Sequence, residues 1–237
     1  MGTGLSAGSL DGVSAGVAPP EQVALPPALR GPAAVVVALS TLVFASLAAR
    51  YGGESTGRWL DDRLQSLVGS SGRGRSLSDV VIAFGNEISV VVVALLLSGL
   101  AFALGQRRLA VLIVVGPGLT GLATTTLKPV VGRTLNDQFA FPSGHAGGAT
   151  ALGVVTALLL ISVLRTAGRA SATLLAAGAL LSGGTMAVAL IADRDHYPTD
   201  TIGGFCVAVA VVLTSALVID WSADRIGRRA GPAGSTK

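Results

Sequence analysis

Long apolar runs separated by short polar connections set the pattern of this chain. Six runs occupy residues 32–49, 80–104, 110–127, 146–164, 174–192 and 201–219, and all but the second are free of charged residues. An apolar helix needs roughly 20 residues to cross the roughly 30 Å hydrocarbon core of a bilayer, so the pattern predicts six membrane spans packed as an all-α bundle. The second run is interrupted by Gly85-Asn86-Glu87, polar residues that need either the outer interface or a cavity. Between the first two runs, Leu60, Leu64, Leu67 and Val68 recur at helical spacing in a polar segment. That spacing predicts a short amphipathic helix over 59–68 lying at the membrane surface. Residues 1–30, rich in Gly, Ala, Ser and Pro without periodicity, read as a disordered tail. Residues 31–221 then form the membrane domain and 222–237 a basic C-terminal tail. The first arginine, Arg30, stands just before the first run, which fits an uncleaved first span better than a secretory signal.

Composition agrees with this reading and narrows it. The chain has 237 residues, of which 51% are hydrophobic and 13% charged, against about 25% charged in an ordinary globular domain. A soluble enzyme, a disordered chain and a disulfide-stapled domain are excluded, and the single cysteine, Cys206, has no internal partner. The formal net charge of +4 would suggest nucleic acid in a soluble protein. Here the arginines lie mostly between or beyond the apolar runs, where they orient a membrane protein, so no nucleic-acid partner is expected. Arg107 and Arg108, Arg165 and Arg169, and Arg225, Arg228 and Arg229 all fall on one face, predicted to be cytoplasmic together with both termini. Arg50, Arg58, Arg63, Arg73 and Arg75 fall on the other face, accompanied by Glu54, Asp61, Asp62 and Asp79. Trp59 and Trp221 near span ends suit an interfacial aromatic belt.

Two connections on the predicted outer face concentrate chemistry. One holds Lys128, Arg133, Asn136-Asp137-Gln138 and Phe141-Pro142-Ser143-Gly144-His145; the other runs from Asp193-Arg194-Asp195-His196 to Tyr197-Pro198-Thr199-Asp200. They contain both histidines of the chain. Lys128 and Arg133 supply positive charge suited to an oxyanion. Pro142-Ser143-Gly144-His145 opens a helix, where free backbone N–H groups and the helix dipole favour an anion. His196 and Asp200 are spaced i, i+4, which in a helix would set the carboxylate beside the imidazole.

Together these residues resemble the three signature motifs of the type 2 phosphatidic acid phosphatase family, membrane relatives of the vanadium haloperoxidases, over about residues 79–219. The resemblance implies an acid phosphatase/vanadium haloperoxidase-like six-helix bundle in the cell membrane. It also implies hydrolysis of a lipid phosphate or diphosphate, isoprenoid carriers included, on the outer face through a phosphohistidine, with neither metal nor cofactor. His196 would be the nucleophile, Asp200 its orienting partner and His145 the proton donor. Lys128, Arg133, Ser143 and Gly144 would hold the phosphoryl oxygens. Two family arginines are absent: Leu135-Asn136 stand where the first motif carries Arg-Pro, and Ala189-Leu190 where the third carries Ser-Arg. Arg194 is a candidate substitute.

Other readings compete at several points. Lys128 and Arg133 could be interfacial anchors, and Arg194 could pair with Asp193 and Asp195. Asp137 and Glu87 read as solvated outer-face residues, and the glycines at 116, 118, 121, 203 and 204 as helix-packing positions. For the whole chain, the alternatives to a phosphatase are a non-catalytic lipid-phosphate-binding relative and a small transporter, the latter disfavoured because charge gathers in loops. Oligomeric state is left open.

Overall fold

The computed structural model describes residues 23–68 and 75–230. Most of the predicted N-terminal tail and the last seven residues therefore lie outside the described residues. The helices are α1 (Pro27–Tyr51), α2 (Trp59–Val68), α3 (Arg75–Phe84), α4 (Glu87–Ala103), α5 (Arg107–Val131), α6 (Gly144–Leu164), α7 (Gly168–Ala192) and α8 (Pro198–Ala230). Five of them, α1, α5, α6, α7 and α8, are long and apolar enough to cross a membrane. The second predicted span is a bent pair: α3 and α4 meet at 61°. The bend falls at Gly85-Asn86, where Asn86 caps α4 by accepting a hydrogen bond from the Ser89 N–H at 2.8 Å. The polar interruption seen in the sequence is thus a helix break with its own cap.

Helix α6 is the hub and the most deeply buried of the five long apolar helices, whereas α1 is the least buried and lies at the periphery against α8. Close approach of α6 and α7 depends on Gly153 and Gly178, where an added Cβ would collide with the facing helix. Leu112, Ile113, Val155, Leu158, Val212 and Leu213 fill the space between α5, α6 and α8. The outward side chains of α1 and α4, among them Leu39, Leu42, Leu95 and Leu96, are exposed in the isolated chain, as a lipid-facing surface requires.

Three sequence expectations shift. The first helix begins at Pro27, using proline in its first turn, so the membrane domain reaches four residues into the predicted tail. Helix α8 continues to Ala230, so the first part of the basic tail is helical. The all-α bundle also carries a two-stranded antiparallel hairpin, β1 (Thr134–Leu135) with β2 (Gln138–Phe139). Its turn residues Asn136 and Asp137 have φ of 51° and 60°, the left-handed pair that a tight two-residue hairpin needs.

At the end of the bundle where α1 begins, the buried Asp220 carboxylate accepts the backbone N–H groups of Ala24 and Leu25 at 2.8 and 3.0 Å. It also pairs with Arg30 and Arg108 at 3.3 and 3.4 Å. This staple lies at the opposite end of α5 and α8 from the two chemistry-bearing connections.

Candidate active site

The segment Tyr197-Pro198-Thr199-Asp200 starts α8. Pro198 occupies its first helical position, and Asp200 reaches back so that its Oδ2 accepts the Tyr197 N–H at 3.1 Å. His196 precedes the helix, so its closeness to Asp200 arises from this reach-back and not from the helical i, i+4 spacing the sequence suggested. Its Nδ1 lies 3.6 Å from Asp200 Oδ2 and has no hydrogen-bond partner. That placement leaves Nε2 as the nitrogen free to act on a substrate.

The other oxygen of Asp200 is held by Arg133. Arg133 is fully buried: its Nη1 donates to Asp200 Oδ1 at 2.7 Å and to Thr199 Oγ1 at 2.5 Å, and its Nη2 donates to Asp61 Oδ2 at 2.6 Å. The rings of Tyr51 and Tyr197 lie over the guanidinium at 4.6 and 4.3 Å, adding cation–π attraction. Partial burial pushes the Tyr197 phenol up from its ordinary pKa against the opposing pull of Arg133. Arg133 therefore stands behind Asp200 with both terminal nitrogens committed to carboxylates, a position unlike the phosphate-facing one expected from its sequence motif.

Asp61 was missed by sequence reasoning. It lies in the first turn of the amphipathic helix, yet it is 2% exposed. Its Oδ1 accepts the Thr199 N–H at 3.1 Å and the Thr199 hydroxyl at 2.7 Å. Of the apolar side chains of α2, Trp59 and Leu67 are exposed while Leu60, Leu64 and Val68 are half-buried. An acidic pair in a helix's first turn also serves the dipole, so its sequence signal was indistinguishable from ordinary capping.

Ser143 caps α6: its Oγ accepts the Ala146 N–H at 3.3 Å while its own N–H donates to the Asp200 carbonyl at 2.9 Å. The two motif loops are thereby stitched backbone to backbone. Gly204 permits this, since a Cβ there would collide with the Ser143 carbonyl oxygen, and Gly203 admits the Phe141 ring. These glycines pack against the motif loop as well as serving the helix. Gly118 and Gly121 face open space, contrary to the packing role expected of them.

That open space is a groove of about 480 Å³ between α4, α5 and α6. Val90, Val91, Leu95, Val114 and Leu122 form its apolar walls, and Lys128, Gly144, His145 and Glu87 form its polar end. A second cavity of about 570 Å³ is bordered by α2 and the loop before α8, and its lining includes His196, Arg194, Asp62, Ser66 and Leu135. The His145 ring lies within electrostatic range of His196 and Lys128, and of Asp195 and Glu87. The structure thus brings Lys128, Gly144 and His145 together in one cavity and His196 with Arg194 in the next. Ser143 and Arg133 lie behind them. Arg194 is exposed, at φ 60°, and forms none of the ion pairs found among the described residues. Among those residues no three His, Cys, Asp or Glu side chains are grouped to hold a metal.

The structure also accounts locally for the two missing arginines. Asn136 has φ 51°, which proline cannot adopt, so the hairpin and an Arg-Pro pair are mutually exclusive in this conformation. Leu190 is buried in an apolar cluster with Ala146, Ala149 and Met186, where an arginine would lose its hydration.

Helices of membrane length carry two histidines, a lysine and a helix N-terminus gathered at one end. The chain belongs to the PAP2 superfamily, whose family model matches residues 32–224. Its fold is similar to that of a transmembrane PAP2-type phosphatidylglycerolphosphate phosphatase from Bacillus subtilis, with a TM-score of 0.60 and 18% identity over 80% of this chain and 96% of that one. No curated protein matches the sequence.

Proposed function

We propose that this membrane phosphatase hydrolyses a lipid phosphate or diphosphate through a phosphohistidine, with its site on the outer face of the cell membrane and both termini in the cytoplasm. The observation that carries the reading is the placement of His196 Nδ1 beside an Asp200 carboxylate, next to a groove that joins His145 and Lys128 to apolar walls. His196 Nε2 attacks phosphorus, the N–P bond forms and the P–O bond to the lipid breaks. His145 gives its proton to the departing lipid oxygen. Water then attacks phosphorus, gives its proton to His145, and the N–P bond breaks to release phosphate. Lys128, Arg194 and the Gly144 N–H stabilise the equatorial oxygens, and Ser143 fixes the turn that presents Gly144. Arg133 and Asp61 act as positioning residues for Asp200. No step needs a metal or a cofactor. The apolar groove suits a lipid tail that stays in the bilayer while its phosphate reaches the polar end.

The test is phosphate release from a panel of lipid monophosphates and diphosphates by the purified protein and by His196→Ala. Wild type is expected to release phosphate, to trap an acid-labile phosphoenzyme and to keep its activity under chelation, whereas the variant does none of these. Equal release by both proteins removes His196 as nucleophile. Tight binding without release by wild type would favour a non-catalytic lipid-phosphate-binding protein, a reading that the two absent arginines support.

A further inference from the structure

We infer that Glu87 makes the site select lipid phosphate monoesters over lipid diphosphates. The inference rests on the phosphatase reading above and specifies its substrate. The break between α3 and α4 delivers Glu87 to the groove: Gly85 is buried against Met186 and the His145 carbonyl, where a Cβ would clash with the Met186 side chain. Asn86 then caps α4, and Glu87 is its first residue. Glu87 thereby shares the polar end of the groove with Lys128, Gly144 and His145.

In-line displacement separates the two sides of the attacked phosphorus. In the proposed mechanism His196 attacks from its own cavity, so the leaving group departs on the far side, toward the groove that Glu87 lines. For a monoester the leaving group is an alcohol, and its neighbouring hydroxyls, where present, can donate hydrogen bonds to a carboxylate. For a diphosphate the leaving group is a lipid monophosphate, whose inner phosphate would bring negative charge beside Glu87. Few cations remain to offset this. Among the residues lining the two cavities, the basic ones are Lys128 and Arg194, since Arg133 is already shared between Asp61 and Asp200. Lys128 is needed by the transferred phosphoryl group itself. The site therefore holds enough positive charge for one phosphate and sets an acidic side chain where a second would lie.

The experiment compares kcat/KM for a prenyl monophosphate and the prenyl diphosphate of the same chain, in wild type, Glu87→Gln and Glu87→Lys. Wild type is expected to prefer the monophosphate. Glu87→Gln should raise the diphosphate-to-monophosphate ratio about two- to fivefold, the scale of one solvated like-charge contact, and Glu87→Lys should raise it further. The ratio cancels any general effect on folding or on the shared proton donor. A wild-type preference for diphosphate, or an unchanged ratio in an active Glu87→Gln enzyme, overturns the inference and leaves the phosphatase reading standing. Failure of wild type to hydrolyse these two substrates and every other member of the lipid phosphate panel overturns both. Should the variants not fold, wild-type inhibition by the matching non-hydrolysable prenyl phosphonate and methylene-diphosphonate decides: equal or tighter inhibition by the diphosphonate overturns it.

Discussion

Arg133 places one guanidinium between two carboxylates and two aromatic rings, and that arrangement determines what its replacement should do. Removing one partner from a buried ion pair costs about 3–5 kcal/mol because the remaining charges are stranded. Arg133→Ala should therefore lower thermal stability as well as activity. Arg133→Lys is the sharper variant, since a single ammonium cannot bridge Asp61 and Asp200 as the guanidinium fork does. Its kcat should fall about 10- to 100-fold, the scale for losing an orienting partner of a reacting group, while KM changes little. Steady-state kinetics check this; a normal kcat with a raised KM would place the guanidinium on the substrate instead. At this scale the sequence exposed the chemistry-bearing residues because charge is so scarce. It could not show which charges face the cavities and which stand behind them, since Lys128 and Arg133 are only five positions apart. Glu87 is exposed, as its sequence context suggested, but nothing local distinguishes the mouth of a groove from open solvent.

Among the elements, the hairpin between α5 and α6 departs furthest from expectation. Asn136 and Asp137 adopt left-handed backbone angles that asparagine and aspartate tolerate better than most residues. The hairpin is tied on both sides, with the Thr134 N–H donating to the Glu54 carbonyl at 3.0 Å and the Ala140 N–H to the Arg133 carbonyl at 2.9 Å. Asn136→Gly should be nearly silent in thermal unfolding. Asn136→Pro cannot hold φ 51° and should cost about 3 kcal/mol or more, with activity lost because Arg133 and the Ser143 turn flank the hairpin. Normal stability and activity in Asn136→Pro would show that the turn does not set the site. The helices themselves were legible because their signal is the summed hydropathy of some twenty residues. The α3–α4 break was also legible, as three consecutive polar residues in an apolar run. The hairpin was not, since two strands of two residues carry no periodicity.

For the whole molecule, charge is sorted by end. Arg30, Arg108, Asp220 and Asp224 pair with one another at one end of the bundle, while both histidines, Lys128 and Arg194 lie at the other. The orientation proposed above from the positive-inside rule puts the first end in the cytoplasm. In a Cys206→Ser background, a membrane-impermeant maleimide added to intact cells should label Ser55→Cys, beside the site, and not Gly227→Cys; the reverse pattern would invert the orientation. By itself, the sequence determined the membrane environment, the number of apolar runs and the two connections that hold both histidines. These are properties of composition and local order, where hydrophobic transfer energies add residue by residue. Tertiary structure alone decided that Asp61 and Arg133 support Asp200, that Glu87 borders the groove and that Leu190 is buried among apolar side chains. Each of these depends on contacts between segments distant in the chain, and the burial and charge environment of a side chain are set by such neighbours.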